Sequence, residues 1–316
     1  MTLSVEAISV TKTDNPDGAL EALKKKAPFA EEIVTTFGRL AFKRAECKAA
    51  LDQQEPLDIS CDPEQFAQGR PLLPSLFISG SRGSIQQSAA CMLLEMERLF
   101  PSIAPVLASL RTTFQDAPQS LERLLDALIA RDDDSLASLA SELDSPLEVL
   151  VFAGREIVKP CLERRVQTLA PLIAEMPWSK GYCPICGSQP DLAFLRPKEA
   201  ESSEYLISKS GQFWLHCSLC THRWRFVRAK CTYCETTDHK KLEYFSSSNH
   251  EDERIYACNL CKHYIPCVDL TNRKSATDLG MEALVLIHLD VLAQKKGFKP
   301  LARLPWNQFS DTQQSA

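Results

Sequence analysis

No apolar run in this sequence approaches the ~20 residues needed to cross a bilayer. The most apolar late segment, 283–293, is interrupted by His288 and Asp290. The start, Met1-Thr2-Leu3-Ser4-Val5-Glu6, lacks the basic cluster and apolar stretch of a secretory signal, and the Arg164-Arg165 pair lies deep in a helical pattern. A cytoplasmic protein without a membrane partner is expected. Charge of one sign is lacking too: 36 Lys and Arg stand against 41 Asp and Glu, for a net charge of −5 and a pI near 5.8. That balance gives no overall pull toward nucleic acid or anionic lipid. The glycine-bearing stretch from Phe77 to Gly83 has no Gly-Lys-Ser/Thr and reads as an interhelical loop, not a phosphate cradle. No catalytic dyad or triad can be assembled, so the chain reads as a non-enzyme.

What the sequence does have is cysteine, 13 in all. Eight fall in four Cys-x-x-Cys pairs: Cys183/Cys186, Cys217/Cys220, Cys231/Cys234 and Cys258/Cys261. In a reducing compartment that regularity points to metal thiolates before disulfides. A Cys-x-x-Cys turn brings two sulfurs to one ion while backbone N–H groups face them, and two such turns complete a tetrahedron. The remaining five, Cys47, Cys61, Cys91, Cys161 and Cys267, read as small buried apolar residues.

Which knuckles combine is suggested by a weak repeat. The second and fourth share Cys-x-Leu-Cys-x-His, each followed by an aromatic, Trp224 or Tyr264. The intervals 187–216 and 235–257 each have room for a hairpin, whereas 221–230 is short. First with second and third with fourth is therefore the favoured pairing, with an interleaved one as the alternative. His216, His222 and His263 adjoin the knuckles, but four cysteines already fill a tetrahedron, so these histidines are expected to hydrogen-bond or face solvent. Four thiolates suit iron and zinc alike, and a closed site leaves no position for hydrolytic chemistry.

At 316 residues the chain is long enough for two domains. Residues 1–27 read as a flexible polar arm. Helical spacing dominates 28–176, most clearly where Leu121, Leu124, Leu125 and Leu128 recur at i, i+3, i+4 and i+7. Further helices are expected over 29–51, 84–99, 102–114, 134–143 and 146–172, the last capped by Ser145 with Pro146 in its first turn and kinked or split at Pro160. Beyond the change of composition near Met176, short β-prone runs at 192–194, 205–207, 213–215, 242–245 and 254–256 alternate with polar turns. They are assigned to a first ribbon over 177–228 and a second over 229–272. A C-terminal helix and tail fill 273–316, with Gly297 placed to stop the helix. The fold class expected is α+β: an all-helical N-terminal domain, tandem rubredoxin-like or zinc-ribbon-like four-cysteine modules, and a C-terminal helix.

The linking segment His222–Lys230 is the most basic in the chain. Trp224 and Phe226 are expected to pack inward as part of a strand, with Arg223 and Arg225 toward solvent or an acidic partner. A zinc-ribbon nucleic-acid binder would use Arg223, Arg225, Arg228 and Lys230, although nucleic acid is not the expected partner. A thiol- or persulfide-transfer enzyme would need metal-free reactive pairs.

The run Leu215-His216-Cys217-Ser218-Leu219-Cys220, continued by Trp224, Val227, Arg228, Lys230 and Cys231-x-x-Cys234, resembles the formate dehydrogenase accessory protein family, FdhE. So do Cys183-Pro184-Ile185-Cys186-Gly187-Ser188 with Pro190, and Asp278-Leu279, Leu289-Asp290 and Leu292-Ala293 ahead of Gly297. These motifs span roughly residues 181–300, and the N-terminal half is similar only in helical character and length. The family shows two aspartates before the last helix, where this chain has Thr277 and Asp278. The resemblance implies a cytoplasmic maturation or quality-control factor that contacts the catalytic subunit of respiratory formate dehydrogenase before export. It also implies two rubredoxin-type iron ions, one per four-cysteine site, with zinc as the alternative.

Overall fold

The computed structural model describes residues 16–51, 61–73, 79–197, 211–246, 251–272 and 278–309. The β-prone run at 205–207, Thr277, and the beginnings of the arm and of the Phe77–Gly83 loop lie outside them.

The arm expected over 1–27 is corrected within the described residues: Pro16–Lys26 is a helix, α1. Its three terminal lysines masked an amphipathic pattern in which Leu20 is buried. Leu20 seats on Gly38 of the next helix, α2 (Glu31–Ala50), where an added Cβ would overlap it. Lys26 then reaches across to Glu282 at 2.6 Å and Glu253 at 3.4 Å.

After the short α3 (Pro63–Ala67), capped by Asp62, the helical part continues through α4 (Arg82–Leu99), α5 (Ala104–Asp116), α6 (Pro118–Ala130), α7 (Asp133–Glu142) and α8 (Leu147–Leu169). Leu121, Leu124 and Leu125 are fully buried, as their spacing predicts. They face α8 at Gly154, where a side chain would collide with Leu128 and Leu124. Pro160 does not split α8. The ~3 kcal/mol cost of an interior proline is offset by burial on several sides, and Ser88 Oγ donates to the Ile157 carbonyl at 2.6 Å in the turn before it. Ser145 is not the cap: Pro146 takes that position with no side-chain capping bond.

The strands form one sheet in the order β3-β2-β1-β6-β5-β4, with β7 added to β6. They are β1 (Pro190–Arg196), β2 (Gln212–Cys217), β3 (Arg223–Arg225), β4 (Leu242–Phe245), β5 (Glu253–Cys258), β6 (His263–Asp269) and β7 (Lys299–Pro300). The two ribbons expected as successive modules are thus joined edge to edge. β1 and β6 run parallel, with Ala193 opposite Cys267 and Phe194 opposite Val268.

Alternation along the strands sends the two faces to different cores. Ala193, Leu195, Phe213, Leu215, Trp224, Ile265 and Cys267 join the core of the helical part. Leu192, Phe194, Ile255, Ala257 and Val268 pack under Leu279, Leu286, Leu289 and Ala293. Leu279 lies on α9 (Leu279–Val285) and Leu289 and Ala293 on α10 (Ile287–Lys295), with Leu286 between them, so the single helix expected there divides at Leu286. Asp278 caps α9, accepting from the Gly280 and Met281 N–H groups, and Gly297, at φ +80°, ends the turn after α10.

Candidate metal centres

Each knuckle is a tight turn closed by the same backbone device, and the second and fourth leave the ends of β2 and β5. In the first, the Gly187 N–H donates to the Cys183 carbonyl at 2.9 Å; in the fourth, Lys262 N–H donates to Cys258 at 2.8 Å. The residue after the second cysteine is left-handed in all four: Gly187, Thr221, Glu235 and Lys262. Glycine is the usual residue there, so the three other knuckles carry a local strain that metal binding can offset.

The structure brings Cys183, Cys186, Cys217 and Cys220 into one group and Cys231, Cys234, Cys258 and Cys261 into another, with all sulfurs of a group within 4.8 Å of one another. This is the sequential pairing. Sulfur separations are 3.5 Å for Cys183–Cys220, 3.4 Å for Cys186–Cys217, and 3.7 Å for both Cys231–Cys261 and Cys234–Cys258. A disulfide would need about 2.05 Å, whereas a tetrahedron with ~2.3 Å metal–sulfur bonds has edges of about 3.8 Å. The residues present fit a four-coordinate thiophilic ion in each group.

Backbone N–H groups face the sulfurs: Leu219 and Cys220 donate to Cys217 Sγ at 3.4 Å, and Tyr233 donates to Cys231 Sγ at 3.4 Å. Burial drives the Cys183 and Cys220 thiols well above their ordinary range, so four thiolates coexist there only around a cation. In the second group the same cause pushes Cys261 up to about 11. Cys258 moves the other way: its desolvation is outweighed by N–H groups of Cys261 and Leu260.

The two groups differ in their surroundings. The first is buried throughout and belongs to the helical core. Leu72 and Leu73 donate their N–H groups to the Pro184 and Ile185 carbonyls at 2.8 and 2.7 Å, strapping the first knuckle. Arg155 of α8 holds the second through Ser218 Oγ at 3.1 Å. In the second group Cys234 and Cys261 are half-buried. The groups adjoin where Gly181 passes the Thr232 carbonyl so closely that any Cβ would overlap it.

Among the described residues no histidine joins either sulfur group. His216 Nδ1 meets Asp191 Oδ1 at 2.7 Å, both nearly buried. His222 lies parallel to Trp224, and burial holds it down to about 4. His263 bonds the Cys261 carbonyl at 2.9 Å and stacks on Tyr233 at 3.9 Å. Sequence reasoning missed the Asp191 partner, which reaches His216 only through the β1–β2 register, and the Leu72–Leu73 strap, which comes from a segment carrying no recognisable motif. Trp224 and Phe226 are buried, as expected. The four nearby cations divide: Arg223 and Arg225 stand on the sheet face opposite Trp224, whereas Arg228 lies over the Tyr256 ring at 5.6 Å and Lys230 bonds Glu235 at 3.1 Å.

No family model matches the chain. Curated relatives do: the FdhE homolog of Aquifex aeolicus is 34% identical over 126 residues, 40% of this chain and 41% of that protein. FdhE of Salmonella dublin is 27% identical and FdhE of Salmonella choleraesuis 26% identical, each over 195 residues, 61% of this chain and 56% of the relative. The chain thus spans about half the length of the curated relatives it matches. By fold, the crystal structure of the FdhE protein from Pseudomonas aeruginosa superposes with a TM-score of 0.61 at 20% identity, covering 92% of each chain. Among the described residues no helix is long and apolar enough to cross a membrane. The chain is thus similar to FdhE-named relatives over part of its length and shares its fold with an FdhE protein.

Proposed function

We propose that this protein is a cytoplasmic accessory factor, not a catalyst, that binds the catalytic subunit of a respiratory formate dehydrogenase before export and is needed for its activity. The observation that carries the reading is the pair of closed four-cysteine groups on a fold shared with an FdhE protein. Cys183, Cys186, Cys217 and Cys220 would hold one ion, and Cys231, Cys234, Cys258 and Cys261 the other. Iron held this way supplies a one-electron couple, whereas zinc supplies structure alone; iron is the ion proposed, with zinc as the alternative. The chain's own contribution is to fix the thiolates, neutralise them with backbone N–H groups, and exclude water from the first group.

The rival readings fare less well. Arg223 and Arg225 are separated from Arg228 and Lys230 by the sheet, so they offer no continuous stripe for a nucleic-acid backbone. The burial of the first group leaves its thiols out of reach of a persulfide donor. Replacing Cys217 and Cys220 by serine is expected to abolish both binding and activation of the dehydrogenase; activation at the unaltered level by that variant would sink the proposal. Anaerobic purification with metal analysis distinguishes red iron–thiolate protein from colourless zinc protein.

A further inference from the structure

The same position recurs in all four knuckles: the residue just before the second cysteine is apolar, being Ile185, Leu219, Tyr233 and Leu260. In the first group these tips are inserted into the helical part, with Ile185 0% and Leu219 3% exposed. In the second they stand in solvent, with Tyr233 51% and Leu260 60% exposed. The two groups are otherwise built alike. The apolar tips of one are covered by its own chain and those of the other are bare, although Thr232, the counterpart of Pro184, has its carbonyl against Gly181.

The covered group shows what such a surface accepts. Its tip carbonyls take N–H groups from an extended segment, Leu72–Leu73, whose apolar side chains enter the same core. Around the bare tips the charge is positive. Lys241, whose carbonyl takes the Asn259 N–H, and Lys262, Lys299 and Arg303 are all exposed. Lys299 is fixed beside the knuckle by the pairing of β7 with His263. Of the nearby carboxylates, Glu235 is paired with Lys180 and Lys230, Glu243 accepts from Asn259, and Asp238 accepts from the Lys240 N–H.

We infer that the Tyr233–Leu260 face of the second four-cysteine group is the docking surface for the client protein. It would receive an extended client segment with apolar side chains flanked by carboxylates, covered as Leu72–Leu73 cover the first group. The inference rests on the proposed function and names the surface that performs it. Two exposed apolar side chains at the centre of an interface, ringed by cations, suit a hot spot with a charged rim. An extended segment brings unpaired N–H groups to the tip carbonyls.

The test uses the full metal-loaded chain and the purified catalytic subunit of the same organism's formate dehydrogenase, with binding followed by biolayer interferometry. The Tyr233→Ser/Leu260→Ser double variant is expected to bind at least roughly tenfold more weakly while keeping two ions per chain. Leu94→Ser, at an apolar residue 62% exposed on the helical part, is expected to bind as the unaltered chain does. Lys299→Glu/Arg303→Glu, which leaves the knuckle turns intact, is expected to slow association and flatten its salt dependence. Unaltered binding by both double variants overturns the docking surface while leaving the accessory function standing. Absence of binding by the unaltered chain overturns the function and the docking surface together.

Discussion

Tyr264 Oη donates to Asp290 Oδ1 at 2.7 Å in the core between β6 and α10, and Gln294 Nε2 donates to the same hydroxyl at 3.0 Å. Burial pushes the Asp290 carboxyl up to about 7, against the opposing pulls of the tyrosine hydrogen bond and of His288. In the unfolded chain it titrates near 4. Between those values the folded state holds a proton that the unfolded state has released, so stability falls as pH rises from about 4 to about 7. Asp290→Asn removes that term while keeping an acceptor for Tyr264. Denaturant melts at pH 5 and pH 8 are expected to show the variant gaining on the unaltered protein by a few kcal/mol at the higher pH. Parallel pH profiles for the two would contradict the assignment.

The unequal burial of the two four-cysteine groups predicts unequal metal release. A strong chelator in excess should draw one ion quickly through the half-exposed Cys234 and Cys261 and the other only at the rate of opening of the helical core. Cys234→Ser/Cys261→Ser should lose the fast phase alone, whereas a single common rate would refute the difference.

Glu163 of α8 forms an ion pair with Arg44 Nε at 3.0 Å and accepts from Lys48 Nζ at 3.2 Å, and Glu156 beside it holds Lys159 and a second Arg44 nitrogen. Removing one partner of a buried pair costs more than the pair itself contributes. Glu163→Gln is expected to lower stability by about 3 kcal/mol, read as a shifted denaturant midpoint with unchanged metal content.

Gly181, two residues ahead of Cys183, passes the backbone of Thr232 in the third knuckle. Gly181→Ala forces its methyl into the Thr232 carbonyl, a backbone atom that cannot rotate away. The expected result is a loss of several kcal/mol together with faster release of the second ion, measured by thermal melting and by the chelator assay.

Much of this site could be read in the sequence because thiolate chemistry is local: a four-residue turn determines where its two sulfurs point. The pairing was legible from the shared Cys-x-Leu-Cys-x-His, and the amphipathic spacing around Leu124 placed α6. The long-range seam between β1 and β6 was not. Parallel strands have no connecting turn to announce them, and Cys267, at the centre of the seam, looked like any buried cysteine. Helix α1 escaped for a related reason. Its one deeply buried residue, Leu20, finds its pocket at a glycine in the next helix, and nothing in the first segment encodes that.

The parallel seam also constrains how the protein can be made. As the chain leaves the ribosome, β1 emerges well before β6, and until β6 arrives it keeps one hydrogen-bonding edge open. The nascent first ribbon is thus exposed to stray strand pairing for as long as the second takes to be synthesised. A gene fragment ending between the ribbons would leave that edge open permanently.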